Sequence, residues 1–140
     1  MCIRDRHKVP PDGLQYLPGA PVTIVGDADE VQAAVSNLID NAVKYSGSDV
    51  QVTVETARVD GKYVALRVTD HGPGIEKTEL KRIFRRFYRV PGALATRVKG
   101  TGLGLYIVRS VAKRHGGRAW AESEGPGHGA TFVLKLPIVK

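Results

Sequence analysis

The sequence predicts an α+β fold: a two-layer α/β sandwich with a mixed, mostly antiparallel sheet and helices on one face. Three observations predict it. Two segments repeat apolar residues at helical spacing, Val31 to Tyr45 and Leu105 to His115. Two neighbouring runs alternate with period two, Val50-Val52-Val54 and Val64-Leu66-Val68, joined across Asp60-Gly61. Two more strands close the chain, Arg118–Glu122 and Ala130–Pro137, across a glycine-rich connection. The alternation of helices and strands alone would suit a parallel sheet, but the hairpins require antiparallel pairs.

Each element has a local reason. Positions 1–21 are rich in Pro and Gly and carry little periodicity. They read as a poorly defined N-terminal segment, a remnant or a truncated first strand, ahead of one domain over 22–140. Val22–Val25 is predicted as a short strand ending at Gly26. Asp27 then reads as a helix N-cap, with Glu30 three residues on completing a capping box. Behind it Val31, Val35, Leu38, Ala42 and Tyr45 form one apolar stripe, and Gly47 is the predicted stop. After the hairpin come Asp70-His71-Gly72-Pro73-Gly74 and an amphipathic stretch with Leu80, Ile83, Phe84 and Phe87. It breaks at Pro91-Gly92. Gly116-Gly117 closes the second helix.

Composition bounds the function. At 140 residues and 15.1 kDa the chain can bury one core. No run of 18 apolar residues exists, positions 1–20 lack the apolar centre of a signal peptide, and one cysteine, Cys2, cannot form an internal disulfide. No membrane contact by this segment and a cytoplasmic location are expected. The parent protein could still be membrane-anchored. The scattered histidines lack zinc-ligand spacing. The net charge of +7 sits in one place: seven cations and no acid lie between Leu80 and Gly100, and the remainder balances at 14 of each sign. A basic face for nucleic acid is therefore not expected.

Three groups of residues could carry chemistry. Asn37, Asn41 and Lys44 share one helix face, where amide oxygens suit a hard cation and an ammonium suits phosphate. Alone, that triplet reads as a solvated face. Asp70 ends a strand with a buried face, so its carboxylate needs a partner. The glycines after it let backbone approach a flat ligand. Gly100-Thr101-Gly102-Leu103-Gly104 opens a helix, so its N–H groups and the helix dipole suit phosphate. It is neither a Walker loop nor a dinucleotide fingerprint, because Lys99 precedes the glycines and their spacing differs.

In order, the chain carries Asn37-Leu-Ile-Asp-Asn41-Ala-Val-Lys44-Tyr45, Asp70-His-Gly72-Pro-Gly74-Ile75, Ile83-Phe84-Arg-Arg-Phe87-Tyr88-Arg89 and Gly100-Thr-Gly102-Leu-Gly104-Leu105. From about Val22 to Pro137 it resembles the catalytic, ATP-binding domain of sensor histidine kinases. That domain shares a superfamily, and the Bergerat-type fold, with DNA gyrase, MutL and heat-shock chaperones. The blocks match the family's asparagine, first glycine, phenylalanine and second glycine boxes. The resemblance implies ATP and Mg²⁺ as ligands. It implies that Asn41 coordinates Mg²⁺ with Asn37 beside it, that Lys44 contacts phosphate, and that Tyr45 packs on the nucleotide. Asp70 would accept a hydrogen bond from the adenine amino group, with Gly72 and Gly74 admitting the base and Ile75 lining its pocket. Phe84 and Phe87 would anchor a mobile lid. Asn37 and Arg89 would act on the transferred phosphate. Lys99, Gly100, Thr101, Gly102, Leu103, Gly104 and Leu105 would hinge the lid and meet the phosphates. Thr131 would support Asp70 and the adenine.

The family's phospho-acceptor histidine lies in a separate dimerisation helix. None of His7, His71, His115 or His128 has that setting, and the length leaves no room for the helical hairpin. The expected partners are therefore that dimerisation domain, supplied elsewhere, and a response-regulator receiver domain. The alternative is a stand-alone serine kinase of the same superfamily acting as an anti-sigma factor. The Arg86-Phe87-Tyr88-Arg89 block favours the histidine kinase.

Overall fold

The computed structural model describes residues 14–17, 23–45, 51–72, 74–85, 104–125 and 129–139. Its elements are β1 (Leu14–Leu17), α1 (Ala28–Tyr45), β2 (Val52–Val59), β3 (Tyr63–Asp70), α2 (Gly104–Arg114), β4 (Arg118–Glu122) and β5 (Ala130–Pro137). Two single-turn 3₁₀ helices, Lys77–Glu79 and Arg82–Phe84, lie between β3 and α2. The sheet order is β1-β2-β3-β5-β4. β1 runs parallel to β2, and every other pair is antiparallel. This is the predicted two-layer α+β sandwich, with both helices on one face.

The N-terminal strand is not where the sequence placed it. Residues 23–25 lie in no strand, and Val25 is fully in solvent at 80% exposure. Thr23 receives a single backbone bond, from the Val139 N–H, after the β5 ladder has stopped at Pro137. One bond cannot make a ladder. The sheet instead takes Leu14–Leu17, paired in register with Val52–Glu55. The apolar periodicity there was too short to read.

α1 starts and α2 stops for the expected reasons, with one change, while the predicted stop of α1 at Gly47 lies outside the described residues. Asp27 Oδ1 accepts from the N–H groups of Asp29 (2.9 Å) and Glu30 (3.2 Å), a true N-cap. Glu30 does not complete the capping box. Its carboxylate pairs with Arg114, and the Asp27 N–H is taken by His115 Nε2 at 3.1 Å. His115 is fixed by a second bond, Nδ1 to the Val111 carbonyl at 2.8 Å, so it donates at Nδ1 and accepts at Nε2. A histidine that reads as an ordinary turn residue thus ties the end of α2 to the start of α1. The Gly117 N–H reaches the Ala112 carbonyl and the Gly116 N–H that of Lys113, the bond pattern of a Schellman stop. The hairpin turn has φ of 57° at Asp60 and 69° at Gly61, the signs of the type I′ turn that Asp-Gly favours.

Parity decides what the sheet buries. Val52, Val54, Val68, Ala121, Ala130, Phe132, Leu134 and Leu136 face the helices. They meet Ala34, Leu38 and Ala42 of α1 and Leu105, Val108 and Val111 of α2. Phe132, Leu38 and Val68 are fully enclosed, each contributing about 1.5–3 kcal/mol by burial. The stripe of α1 is wider than predicted, since Ala34 and Val43 join it. The other sheet face carries Arg67, Trp120 and Lys135 over a buried Val133. There the Lys135 ammonium lies 4.6 Å from the Tyr63 ring centre.

Candidate functional site

The site grows from the same parity. Val64, Leu66 and Val68 point to the helix layer, so Asp70, two residues further on, points there too. It is 1% exposed at the very end of β3. Its Oδ1 accepts from the Gly72 N–H at 2.9 Å. Its Oδ2 is buried with no partner. Burial pushes the carboxyl above its ordinary range, opposed by the backbone N–H groups of Gly72 and Ala130 and by His71.

The turn after Asp70 is packed backbone to backbone. Gly74 has φ of 81°, and a Cβ there would stand 2.3 Å from the Gly125 carbonyl oxygen. Gly129 has φ of 70°, and its Cβ would stand 2.4 Å from the Asp70 carbonyl oxygen. The Gly129 N–H donates to the Gly72 carbonyl at 3.1 Å. No side chain fits between the two loops, so their glycines set how closely the turn approaches β5.

Ser123 holds this arrangement and was not legible as a site residue. Its hydroxyl donates to the Gly129 carbonyl at 2.7 Å. It accepts from the N–H groups of Ile75 (3.2 Å) and Gly125 (3.1 Å). The signal available was a serine just after a strand and before a glycine-rich connection, a common turn device with no functional ring to it.

The asparagine face lies at the start of α2. Asn37 Nδ2 donates to the Ala33 carbonyl at 2.9 Å. Its Oδ1 would lie 3.2 Å from a Cβ on Gly104, so Asn37 and the first residue of α2 are neighbours. Asn41 Nδ2 is buried with no partner. Lys44 is exposed. Among the described residues, the buried side-chain polar atoms lacking a partner are two, Asn41 Nδ2 and Asp70 Oδ2. Both belong to residues that the sequence assigns to the nucleotide. Buried polar groups are normally satisfied, so these two orphans stand out.

Other predicted residues fall differently. Ile75 and Leu105 are core residues, 2% and 5% exposed. Phe84 is core as well, while Arg82 and Arg85 are solvated. Phe87, Arg89, Lys99, Gly100, Thr101, Gly102 and Leu103 lie outside the described residues, as does the side chain of Tyr45. Thr131 requires a correction. It pairs with Thr69, and the two hydroxyls lie 3.1 Å apart, on the sheet face turned away from the helices. The residue opposite Asp70 is Ala130. A shift of one position along a strand changes the face, so Thr131 cannot support the Asp70 carboxylate.

Comparison with known proteins agrees with this fold. The family model described as "Histidine kinase-, DNA gyrase B-, and HSP90-like ATPase" matches residues 26–140. The sensor-like histidine kinase SenX3 of Mycolicibacterium smegmatis is 40% identical over 138 residues, covering 94% of this chain and 35% of SenX3. The signal transduction histidine-protein kinase/phosphatase MprB of Mycolicibacterium paratuberculosis is 42% identical over 120 residues, 84% of this chain and 23% of MprB. This chain therefore spans about a third or less of these relatives. A solved structure of the mycobacterial sensor histidine kinase MprB superposes with a TM-score of 0.81 at 31% identity, covering 97% of this chain and 87% of that one. Full-length ShkA in complex with AMPPNP superposes with a TM-score of 0.74 at 29% identity, covering 91% of this chain and 26% of ShkA. With the fold, the ordered boxes and the family match in agreement, the chain belongs to the histidine kinase-, DNA gyrase B- and HSP90-like ATPase family, as an ATPase domain similar to those of sensor histidine kinases.

Proposed function

We propose that this domain binds Mg²⁺-ATP and delivers the γ-phosphate to a histidine on a separate dimerisation domain of the parent kinase. From there the phosphate would pass to an aspartate on a response-regulator receiver domain. The observation that carries the reading is the pair of buried orphans, Asp70 Oδ2 and Asn41 Nδ2. A lone carboxylate oxygen accepts from an exocyclic amino group, which adenine has and guanine lacks at that position. The Gly72 N–H holds the other oxygen, so the carboxylate is aimed before any base arrives.

The asparagine fits phosphate and metal together. Its Nδ2 can donate to a phosphate oxygen, and the same amide turned over presents Oδ1 to Mg²⁺. Among the described residues no cluster of three His, Cys, Asp or Glu could hold a metal. Mg²⁺ would therefore be held by Asn41, phosphate oxygens and water, its usual preference. It would supply charge neutralisation on the phosphates. Asn37, beside the start of α2, would hold the phosphate in line. Lys44 in solvent is free to swing onto phosphate. Arg89, Lys99 and the Gly100–Leu105 block would close over the triphosphate and exclude water. Tyr45, Phe87, Gly72, Gly74 and Ile75 would frame the base.

The relatives reported above are sensor kinases, and none is an anti-sigma serine kinase. The test has two arms. Calorimetric titration should show Mg²⁺-dependent ATP binding with little affinity for GTP. Incubation of this chain with γ-labelled ATP should give no phosphohistidine until a dimerisation domain is added. Equal affinity for ATP and GTP would sink the adenine assignment, and label on this chain alone would sink the transfer scheme.

A further inference from the structure

A second concave site lies at the free edge of the sheet. β4 ends the strand order, so one side of it has no strand partner among the described residues. Along it runs a cavity of about 550 Å³ between β4, the two 3₁₀ turns and α2. Its walls carry Lys77, Lys81, Arg109 and Arg118 together with Phe84 and Trp120, and no carboxylate lines it. None of the residues placed at the nucleotide lines it either.

The four cations come from three separate parts of the chain, the Lys77–Lys81 segment, α2 and β4, and meet only in three dimensions. Among the described residues none has an acid within 4 Å, unlike Arg67, Arg82 and Arg114, which do. Two are held by aromatic faces instead. Arg118 lies 5.5 Å from the Trp120 ring centre and Arg109 lies 5.9 Å from that of Tyr106. Stacked guanidinium groups keep their charge and their donors while giving up little freedom on binding. The volume suits a ligand of moderate size, but the long wall is a strand edge offering unpaired backbone groups. An extended chain satisfies those groups by adding a strand, and its side chains alternate onto the flanking surface.

We propose that this cavity is a docking site for an extended acidic segment of a partner protein, which pairs with β4 and, because alternate residues of a strand point to opposite faces, places its carboxylates on Lys77, Lys81 and Arg109 on the helix side. The occupant is chosen by charge complementarity with the three uncompensated cations on the helix side. The apolar side chains between the acids fall on the other face of the sheet, beside Trp120 and Arg118.

Trp120 is the one tryptophan of the chain, so its emission reports this cavity directly. The probe is an acetylated, amidated octapeptide of alternating Glu and Val. Titration should change Trp120 emission saturably, and more weakly as ionic strength rises. The double variant Lys77→Glu, Lys81→Glu removes two exposed cations without touching the core, and should weaken binding by about tenfold or more. Saturating ATP should leave the affinity unchanged. The proposal is overturned by a flat titration up to millimolar peptide, which would mean that the cations only guard the edge. It is equally overturned if the Gln-for-Glu peptide or an oligonucleotide of matching charge binds as well, if the double variant binds normally, or if ATP competes.

Discussion

Replacing Asp70 by Asn should make the nucleotide-free domain more stable and, at the same time, unable to hold adenine. The carboxylate is 1% exposed, with Oδ1 bonded once and Oδ2 not at all. Asn keeps the bond from the Gly72 N–H and leaves a neutral amide, not an anion, without a partner. The difference between those two burial costs is about 1–2 kcal/mol in favour of the variant. For a domain of this size that is a rise of about 3–8 °C in Tm. The gain depends on pH, and the sign is fixed. Burial raises the folded-state pKa of Asp70 above its ordinary value of 3.8. Between those two values the native protein holds a proton that the unfolded chain has lost, so wild-type stability falls as pH rises through the window. The variant has no such slope. The two melting temperatures should converge in acid and separate towards neutrality. With Mg²⁺-ATP present the order reverses. The lost bond to the adenine amino group costs about 2–3 kcal/mol, roughly 30–150-fold in affinity, so the variant should show little ligand-induced rise in Tm. Scanning calorimetry between pH 4 and 8, with and without nucleotide, reads both effects. A variant that melts below wild type at neutral pH and still responds to ATP would refute the reasoning.

Four further outcomes follow from the same geometry. Asn41→Ala removes a buried orphan, so apo stability should change by less than about 1 kcal/mol, while calorimetry shows ATP binding that no longer depends on Mg²⁺. Gly129→Ala sets a Cβ 2.4 Å from the Asp70 carbonyl oxygen at φ of 70°, and denaturant unfolding should show a loss of about 2 kcal/mol or more together with weaker ATP binding. Ser123→Ala leaves the Ile75 and Gly125 N–H groups without their acceptor, at a cost of about 2–3 kcal/mol, and hydrogen exchange at those two amides should accelerate. Glu122 is held below the ordinary carboxylate range by the Trp120 indole N–H and by Arg67. Its contribution is present above that range and is lost as pH falls through the depressed value, so Glu122→Gln should flatten the acid limb of the stability profile in acid titrations.

Much of this was legible along the chain. Asp27 caps α1, Asp60-Gly61 turns the hairpin, and Gly116-Gly117 stops α2, because caps and turns are decided by a few neighbouring residues. The alternation of Val64, Leu66 and Val68 carried the direction of Asp70 with it. Where the reading failed, the deciding partner was distant. β1 exists because β2 offers it a ladder, not because Leu14–Leu17 shows a pattern. Glu30 abandons its capping box for Arg114, 84 residues away. Thr131 was misplaced because the register of β5, set by pairing with β3, puts Ala130 beside Asp70.

The charge distribution draws the same line. The sequence by itself determined that the domain is an α+β ATPase-type sandwich, that four blocks stand in the order of the family's boxes, and that its excess of +7 lies between Leu80 and Gly100. The rest of the chain balances at 14 charges of each sign. Only the tertiary structure decided that Lys77, Lys81, Arg109 and Arg118 would share one cavity, and that Asp70 Oδ2 and Asn41 Nδ2 would be buried without partners. The reason is physical. Patterns in a chain record interactions within a turn or two, whereas solvation and Coulomb energies depend on distance in space, which packing sets.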